Sequence, residues 1–215
     1  MTRTVHAVFW DFGGVFTSSP FGAVESYAAE LGIGHDELFG IVFGAYDEDG
    51  AHPWHRLERG ELSLEDASKA MVALARERGV DFDMASFFGR MRGPDGAERL
   101  EVMGGLVREF DAAGIRQGII TNNVREFSDG WRSLLPVDEL FADVVDSSAV
   151  GVRKPNPVIY EMAMERLGVS DPATALFVDD MPANVAAAEA VGMQGIVARP
   201  DVHATAAHLR ALVLP

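Results

Sequence analysis

The chain contains no cysteine, which excludes disulfides, thiolate nucleophiles and Cys-ligated zinc. Positive charge is scarce: 18 Lys and Arg stand against 33 Asp and Glu, for a net charge of −15. Nucleic acid and anionic membrane are therefore not expected partners, since each needs a cationic face. A phosphate can still be held locally by backbone N–H groups and one or two cations. No run approaches the roughly 18 continuous apolar residues of a membrane span. The opening MTRTVHAVFWDFGG has no long apolar segment with a small-residue cleavage site, so no signal peptide and a cytoplasmic location are expected. Repeats and low-complexity tracts are also missing. Of 215 residues, 48% are hydrophobic, enough for one large domain or a core with a smaller insert.

Short apolar runs alternate with helical patterns. Residues 5–10, 116–120, 141–145, 174–178 and 194–198 read as strands. Most are apolar on both faces, as in a parallel sheet covered on both sides. Helices are expected over 100–113, 157–167 and 183–191, stopped by Gly114, Gly168 and Gly192 at the position where a left-handed conformation is favoured. Asn156 and Pro157 supply an N-cap and a first helical residue. This alternation predicts an α/β fold with a doubly wound, Rossmann-like parallel sheet. From Phe21 to Arg92 the pattern breaks into helices alone, at 22–31, 36–45, 63–78 and 83–91, with Ser63 and Asp66 as a capping-box variant. The expected organisation is a core of residues 1–17 and 96–215 and an inserted α-helical cap of residues 18–95. The stretch RGPDGAE, Arg92–Glu98, reads as the hinge.

Three apolar runs end on polar residues. AVFW ends on Asp11, GII on Thr121, Asn122 and Asn123, and LFV on Asp179 and Asp180. Right-handed crossovers bring such ends to one sheet edge, where open α/β sheets bind ligands. GVRKPNP, after the third run, adds Lys154. Taken singly, each has a plain structural reading as a turn residue, a cap or a solvated lysine. Together they converge, and packed carboxylates repel unless a cation joins them. A hard, oxygen-ligated cation such as Mg2+ suits that donor set.

The series D-x-G-G-V, apolar-T-N, K-P and D-D-x-x-x-N resembles the four motifs of the haloacid dehalogenase (HAD) superfamily of hydrolases, over nearly the whole chain. RGELSLEDA, IITNN, VGVRKPNPVIYEMAMERLGV and FVDDMPANVAAAEAVGM resemble, more narrowly, the phosphatase-like N-terminal domain of soluble epoxide hydrolase and small bacterial sugar-phosphate phosphatases. The resemblance implies Asp11 as the nucleophile that forms an aspartyl phosphate. It implies Mg2+ held by Asp11, Asp180 and the Gly13 carbonyl, with Asp179 and Asn184 in support. Thr121 and Asn122 would bind phosphoryl oxygens through a hydroxyl and backbone N–H groups. Lys154 would offset negative charge on nucleophile and phosphate. The implied substrate is a small phosphorylated metabolite.

Where Gly13 stands, the phosphatases of this superfamily usually carry a second Asp as general acid and base, a group worth about 10²–10⁴ in rate. Its absence leaves several accounts open. The acid comes from the cap, or the substrate has a good leaving group. Alternatively the chain is a 2-haloacid dehalogenase-type hydrolase, since halide leaves without a proton, or a weak or inactive HAD-fold binding protein. In the cap, AHPWHRLERGE offers Trp54, His55, Arg56 and Glu58 as a loop closing over substrate, or merely an exposed loop around a buried Trp54. His52 with His55 makes only two ligands for a transition metal. Phe16 and Phe21 are expected at the cap–core seam or in the core.

Overall fold

A computed structural model describes residues 4–91 and 93–214; Arg92, the first residue of the expected hinge, lies outside them. The core strands are β1 (Ala7–Trp10), β2 (Arg116–Thr121), β3 (Asp143–Asp146), β4 (Ala175–Asp179) and β5 (Gln194–Val197). They form one parallel sheet in the order β3-β2-β1-β4-β5. The central β1 shows why such runs read as apolar throughout. Val8 and Trp10 enter one core cluster, Ala7 and Phe9 the other, because successive side chains point to opposite faces. The buried Trp10 indole donates to Gln117 Oε1 at 3.1 Å, so neither polar group is stranded between strand and helix.

The helices run α1 (Gly22–Leu31), α2 (His35–Val42), α3 (Pro53–Glu58), α4 (Leu64–Glu77), α5 (Met84–Arg90), α6 (Gly96–Ala112), α7 (Ser128–Arg132), α8 (Val137–Leu140), α9 (Ser147–Val150), α10 (Pro157–Arg166), α11 (Pro182–Ala190) and α12 (Val202–Val213). Asn156 Oδ1 accepts from the Val158 N–H at 3.1 Å, and Ser63 Oγ from that of Asp66 at 3.1 Å. Gly114, Gly168 and Gly192 all have positive φ. The anticipated strands and long helices thus form within a few residues of their expected bounds. One segment differs: HPWHR is not a loop but the start of α3. His52 Nδ1 accepts from the Trp54 N–H at 3.2 Å, and Pro53 occupies the first turn, where its missing N–H costs nothing. The C-terminal α12, which packs against α6, goes beyond what the sequence pattern identified.

α1–α5 share a hydrophobic cluster of their own, including Leu38, Phe43, Trp54, Met71 and Phe87. Val124, from the loop after β2, joins it. This helical layer therefore sits over the carboxyl ends of the strands. Phe16 is fully buried in the core beneath the sheet edge, whereas Phe21 packs in the helical layer against Phe39, Phe43 and Tyr46.

Candidate active site

The strand register builds the site. Trp10 pairs with Val178, and the Asp11 N–H extends that ladder to the Val178 carbonyl at 2.8 Å. Asp11 therefore stands level with Asp179, the last residue of β4. Thr121 ends β2 on the other side of β1. Lys154 arrives from the loop after α9, and its Nζ donates to Asp11 Oδ1 at 2.8 Å and Asp179 Oδ2 at 2.7 Å. Asn122 fixes that loop. Its Oδ1 accepts from the Lys154 N–H at 2.8 Å and its Nδ2 donates to the Lys154 carbonyl at 3.0 Å. The Asn122 side chain is thus engaged with Lys154, and only its backbone is left to meet a phosphate. Thr121 keeps a side-chain hydroxyl with no partner among the described residues.

Asp11, Asp179 and Asp180 bring carboxylate oxygens within 4.8 Å of one another. Burial first, then Asp179 and Asp180, push Asp11 up to about 8 despite the opposing Lys154 ammonium. Burial and Asp179 push Asp180 up to about 6. Burial alone would lower Lys154, but Asp11 and Asp179 outweigh it and raise it. Burial and like charge together disfavour the ionised carboxylates, and a cation among them would oppose both effects.

The donors divide into two groups. Asp179 is fully occupied: Oδ2 accepts from Lys154 and from Asn184 Nδ2 at 3.0 Å, and Oδ1 from the Met181 N–H at 2.7 Å. Asp180 is not so engaged. The Asn184 Oδ1 is buried without a partner among the described residues. The Phe12 carbonyl accepts from the Phe16 N–H and the Gly14 carbonyl from Arg99 Nη1 at 2.9 Å. Among the described residues no donor reaches the Gly13 carbonyl between them. An all-oxygen set with surplus negative charge fits a hard divalent cation.

The two adjacent glycines serve different ends. Gly14 has φ +72°, and a Cβ there would lie 2.0 Å from Asp180 Oδ2, so a side chain would occupy the place of that carboxylate. Gly13 has no positive φ, and a Cβ would meet only Pro20 Cδ at 3.8 Å. The missing acid is therefore not excluded by space or by backbone conformation.

Of the four cap residues singled out, Trp54 and Glu58 reach the wall of the cavity over Asp11. His55 and Arg56 do not. Residues 54, 57 and 58 share the inner face of α3, while Arg56 points outward and pairs with Glu61 at 3.1 Å. His55 is buried beside that wall, its Nδ1 accepting from the Gly50 N–H at 3.0 Å. Burial lowers both His52 and His55 to about 4, so neither carries charge near neutrality. Glu58 anchors a network. Oε1 accepts from Trp54 Nε1 at 2.7 Å and the Tyr46 hydroxyl at 2.9 Å, and Oε2 from Arg153 Nε at 2.7 Å. Tyr46, Arg153, Gly14 and Arg99 escaped the sequence reading. Only the doubled glycine after Asp11 hinted at any of them.

The family model of haloacid dehalogenase-like hydrolases matches residues 5–192. Acyl-CoA dehydrogenase family member 10 of Mus musculus is 30% identical over 203 residues, which cover 93% of this chain. The chain spans only 18% of that relative's length. A sesquiterpene phosphatase of Aspergillus oryzae is 29% identical over 224 residues, covering 99% of both chains. Among solved structures, a predicted HAD-like family hydrolase from Porphyromonas gingivalis has TM-score 0.65 at 21% identity, covering 96% of this chain and 98% of its own. A HAD family enzyme from Bacteroides thetaiotaomicron, in complex with magnesium and inorganic phosphate, has TM-score 0.60 at 13% identity, covering 92% and 96%. An L-2-haloacid dehalogenase from Xanthobacter autotrophicus has TM-score 0.57 at 21% identity, covering 96% and 82%. These likenesses establish the fold.

Proposed function

The chain belongs to the haloacid dehalogenase-like hydrolases, and from that premise we propose that it is a magnesium-dependent phosphatase acting on a small phosphate monoester. The observation that carries this reading is the buried Lys154 bridge between Asp11 and Asp179. It aims one fixed cation and one carboxylate nucleophile at the same spot beside two further acids. The full-length phosphatase relative supports the same reaction class.

In the proposed reaction a carboxylate oxygen of Asp11 attacks phosphorus. The bond to the ester oxygen breaks, and that oxygen departs with the bonding pair as an oxide, to be protonated by water. Water then attacks the aspartyl phosphate at phosphorus, freeing Asp11 and inorganic phosphate. Lys154 holds Asp11 in place and screens its approach to an anionic ester. The Thr121 hydroxyl and the backbone N–H groups of Phe12, Gly13 and Asn122 are assigned to the phosphoryl oxygens. Mg2+, when bound, would be held by Asp11, Asp180 and the Gly13 carbonyl, with Asp179 and Asn184 in support, and would supply charge against carboxylate–phosphate repulsion. Residues 18–95 are assigned as a cap over residues 1–17 and 96–215.

Hydrolysis of an aryl phosphate should require both Mg2+ and Asp11. EDTA or Asp11→Asn should abolish it, because an amide is a poor nucleophile. A mutant that keeps most of the rate would overturn the mechanism. Gly13 favours a second reading, a 2-haloacid dehalogenase, whose leaving halide needs no proton. Metal-independent halide release from a 2-haloacid, unaffected by EDTA, would establish that reading instead. An inactive binding protein would do neither, yet take up inorganic phosphate in calorimetry.

A further inference from the structure

The cavity over Asp11 has about 220 Å³, and its walls differ sharply in chemistry. The floor carries Asp11, Thr121, Lys154 and Asp180. The upper wall is apolar, built from Phe21, Phe43, Met91, Phe127, Trp131 and Met181. Phe21 and Phe43 pack edge to face at 4.8 Å, and Phe127 meets Phe88 the same way at 5.5 Å. Aromatic rings thus make up much of that wall, and each is held by packing against a further ring.

Apart from the Trp131 indole, whose Nε1 has no partner among the described residues, the polar side chains in the wall above the floor make hydrogen bonds within the protein. Tyr46 and Trp54 both donate to Glu58 Oε1, and Glu58 Oε2 takes Arg153. Asn123 Nδ2 donates to Asp146 at 2.7 Å and to Ser128 Oγ at 2.9 Å. Ser18 Oγ donates to Asp95 at 2.5 Å, and Thr17 Oγ1 to the Ser18 carbonyl at 3.2 Å. A sugar or polyol seated there would bury several hydroxyls against a wall that offers, among the described residues, the Trp131 indole N–H as its one uncommitted side-chain donor, a cost that accumulates with each unmet group. The positive charge is likewise committed. Among the described residues lining the cavity, Lys154 is the one cation, and Asp11 and Asp179 already hold it. Among the described residues of the lining, a second phosphate finds no uncommitted cation.

Resting on the phosphatase reading, we propose that the leaving group is an apolar alcohol. The substrate is then the monophosphate of a hydrocarbon alcohol, aromatic or branched, and not a sugar phosphate, a polyol phosphate or a diphosphate. The aromatic wall selects it by burying its apolar surface, and the floor engages only the phosphoryl group.

Two measurements test this. With Mg2+, kcat/KM for 1-naphthyl phosphate and geranyl phosphate should exceed that for glucose 6-phosphate by about 100-fold or more, as expected where several hydroxyls go unpaired. In calorimetry, naphthylmethylphosphonate, which is not hydrolysed, should bind about tenfold or more tighter than inorganic phosphate and compete with it. Phe127 is 37% exposed, so Phe127→Ala can be made without opening the core. It should weaken the naphthyl ligand severalfold and leave inorganic phosphate unchanged. Turnover with a preference for glucose 6-phosphate would overturn this inference and leave the phosphatase reading standing. Equal binding of the phosphonate and inorganic phosphate would do the same. Failure to hydrolyse any ester while still binding the phosphonate would overturn the phosphatase reading alone.

Discussion

At position 13 the molecule lacks a side chain that its surroundings would accept. The would-be Cβ meets only Pro20 Cδ at 3.8 Å, and φ is not positive. Without an acid there, the ester oxygen departs unprotonated, so the rate should depend steeply on the basicity of the leaving alcohol. An aryl oxide suffers least. The nearby cap carboxylate does not fill the gap, because Glu58 is tied by Tyr46, Trp54 and Arg153 and serves as an acceptor. Gly13→Asp should raise turnover of alkyl phosphates selectively, by up to about 10²-fold, with little gain for aryl phosphates. The ratio of alkyl to aryl kcat in wild type and mutant measures it. A folded mutant with an unchanged ratio would mean that another group already delivers the proton. Gly14, one step on, has no such freedom, since any side chain there would displace Asp180.

Among the elements, the strands and long helices were readable because each carries its signal locally. β1 and β4 are apolar on both faces, and Ser63, Asn156 and the three terminating glycines punctuate the helices. The tips of those strands marked Asp11, Thr121 and Asp179–Asp180 for the same reason. α3 was not readable. It is only six residues long, and the polar His55, Arg56 and Glu58 interleaved with Trp54 and Leu57 hide which face turns inward. Nor could Arg153 be read as more than a neighbour of Lys154, because its partner Glu58 lies 95 residues away. That pair joins α3 to the Lys154 loop, with Arg153 0% and Glu58 3% exposed in their side chains. Arg153 also stacks over the Tyr46 ring at 4.6 Å and donates to the Glu48 carbonyl at 2.6 Å. Removing one member of a buried pair strands the other charge, at a cost of about 3–5 kcal/mol. Arg153→Leu should therefore lose stability near the low end of that range, since Tyr46 and Trp54 still donate to Glu58. The midpoint of urea unfolding reports it. Glu58→Gln combined with Arg153→Leu should lose less than the sum of the two single changes, because the stranded charge is then gone.

On the scale of the whole molecule, net charge and the buried site pull in the same direction. The chain carries −15 and gathers three of its carboxylates at one sheet edge with a single lysine bridging two of them. Burial and mutual repulsion raise Asp11 to about 8 and Asp180 to about 6, from 3.8 for an ordinary aspartate. The sign of the consequence follows from proton binding. Between pH 4 and 8 the metal-free folded protein holds protons that the unfolded chain has released. Stability then falls with rising pH, its contribution full below about pH 4 and lost as pH passes through 6 and on through 8. A divalent cation competes with those same protons. In mild acid it must displace them, whereas near pH 8 it meets ionised carboxylates and relieves their repulsion. The rise in Tm on adding Mg2+ should therefore grow steadily between about pH 5.5 and 8.5, the window set by the two raised carboxyls. Thermal unfolding with and without Mg2+ across that range checks it. Salt alone should not reproduce the effect, because screening acts on exposed charges far more than on buried ones. Asp11→Asn, which removes the most strongly raised carboxyl, should flatten the pH slope of the metal-free protein and reduce the Mg2+ increment most at the alkaline end. An increment equal at all pH values, or larger in acid, would mean that these carboxylates are not where the cation binds.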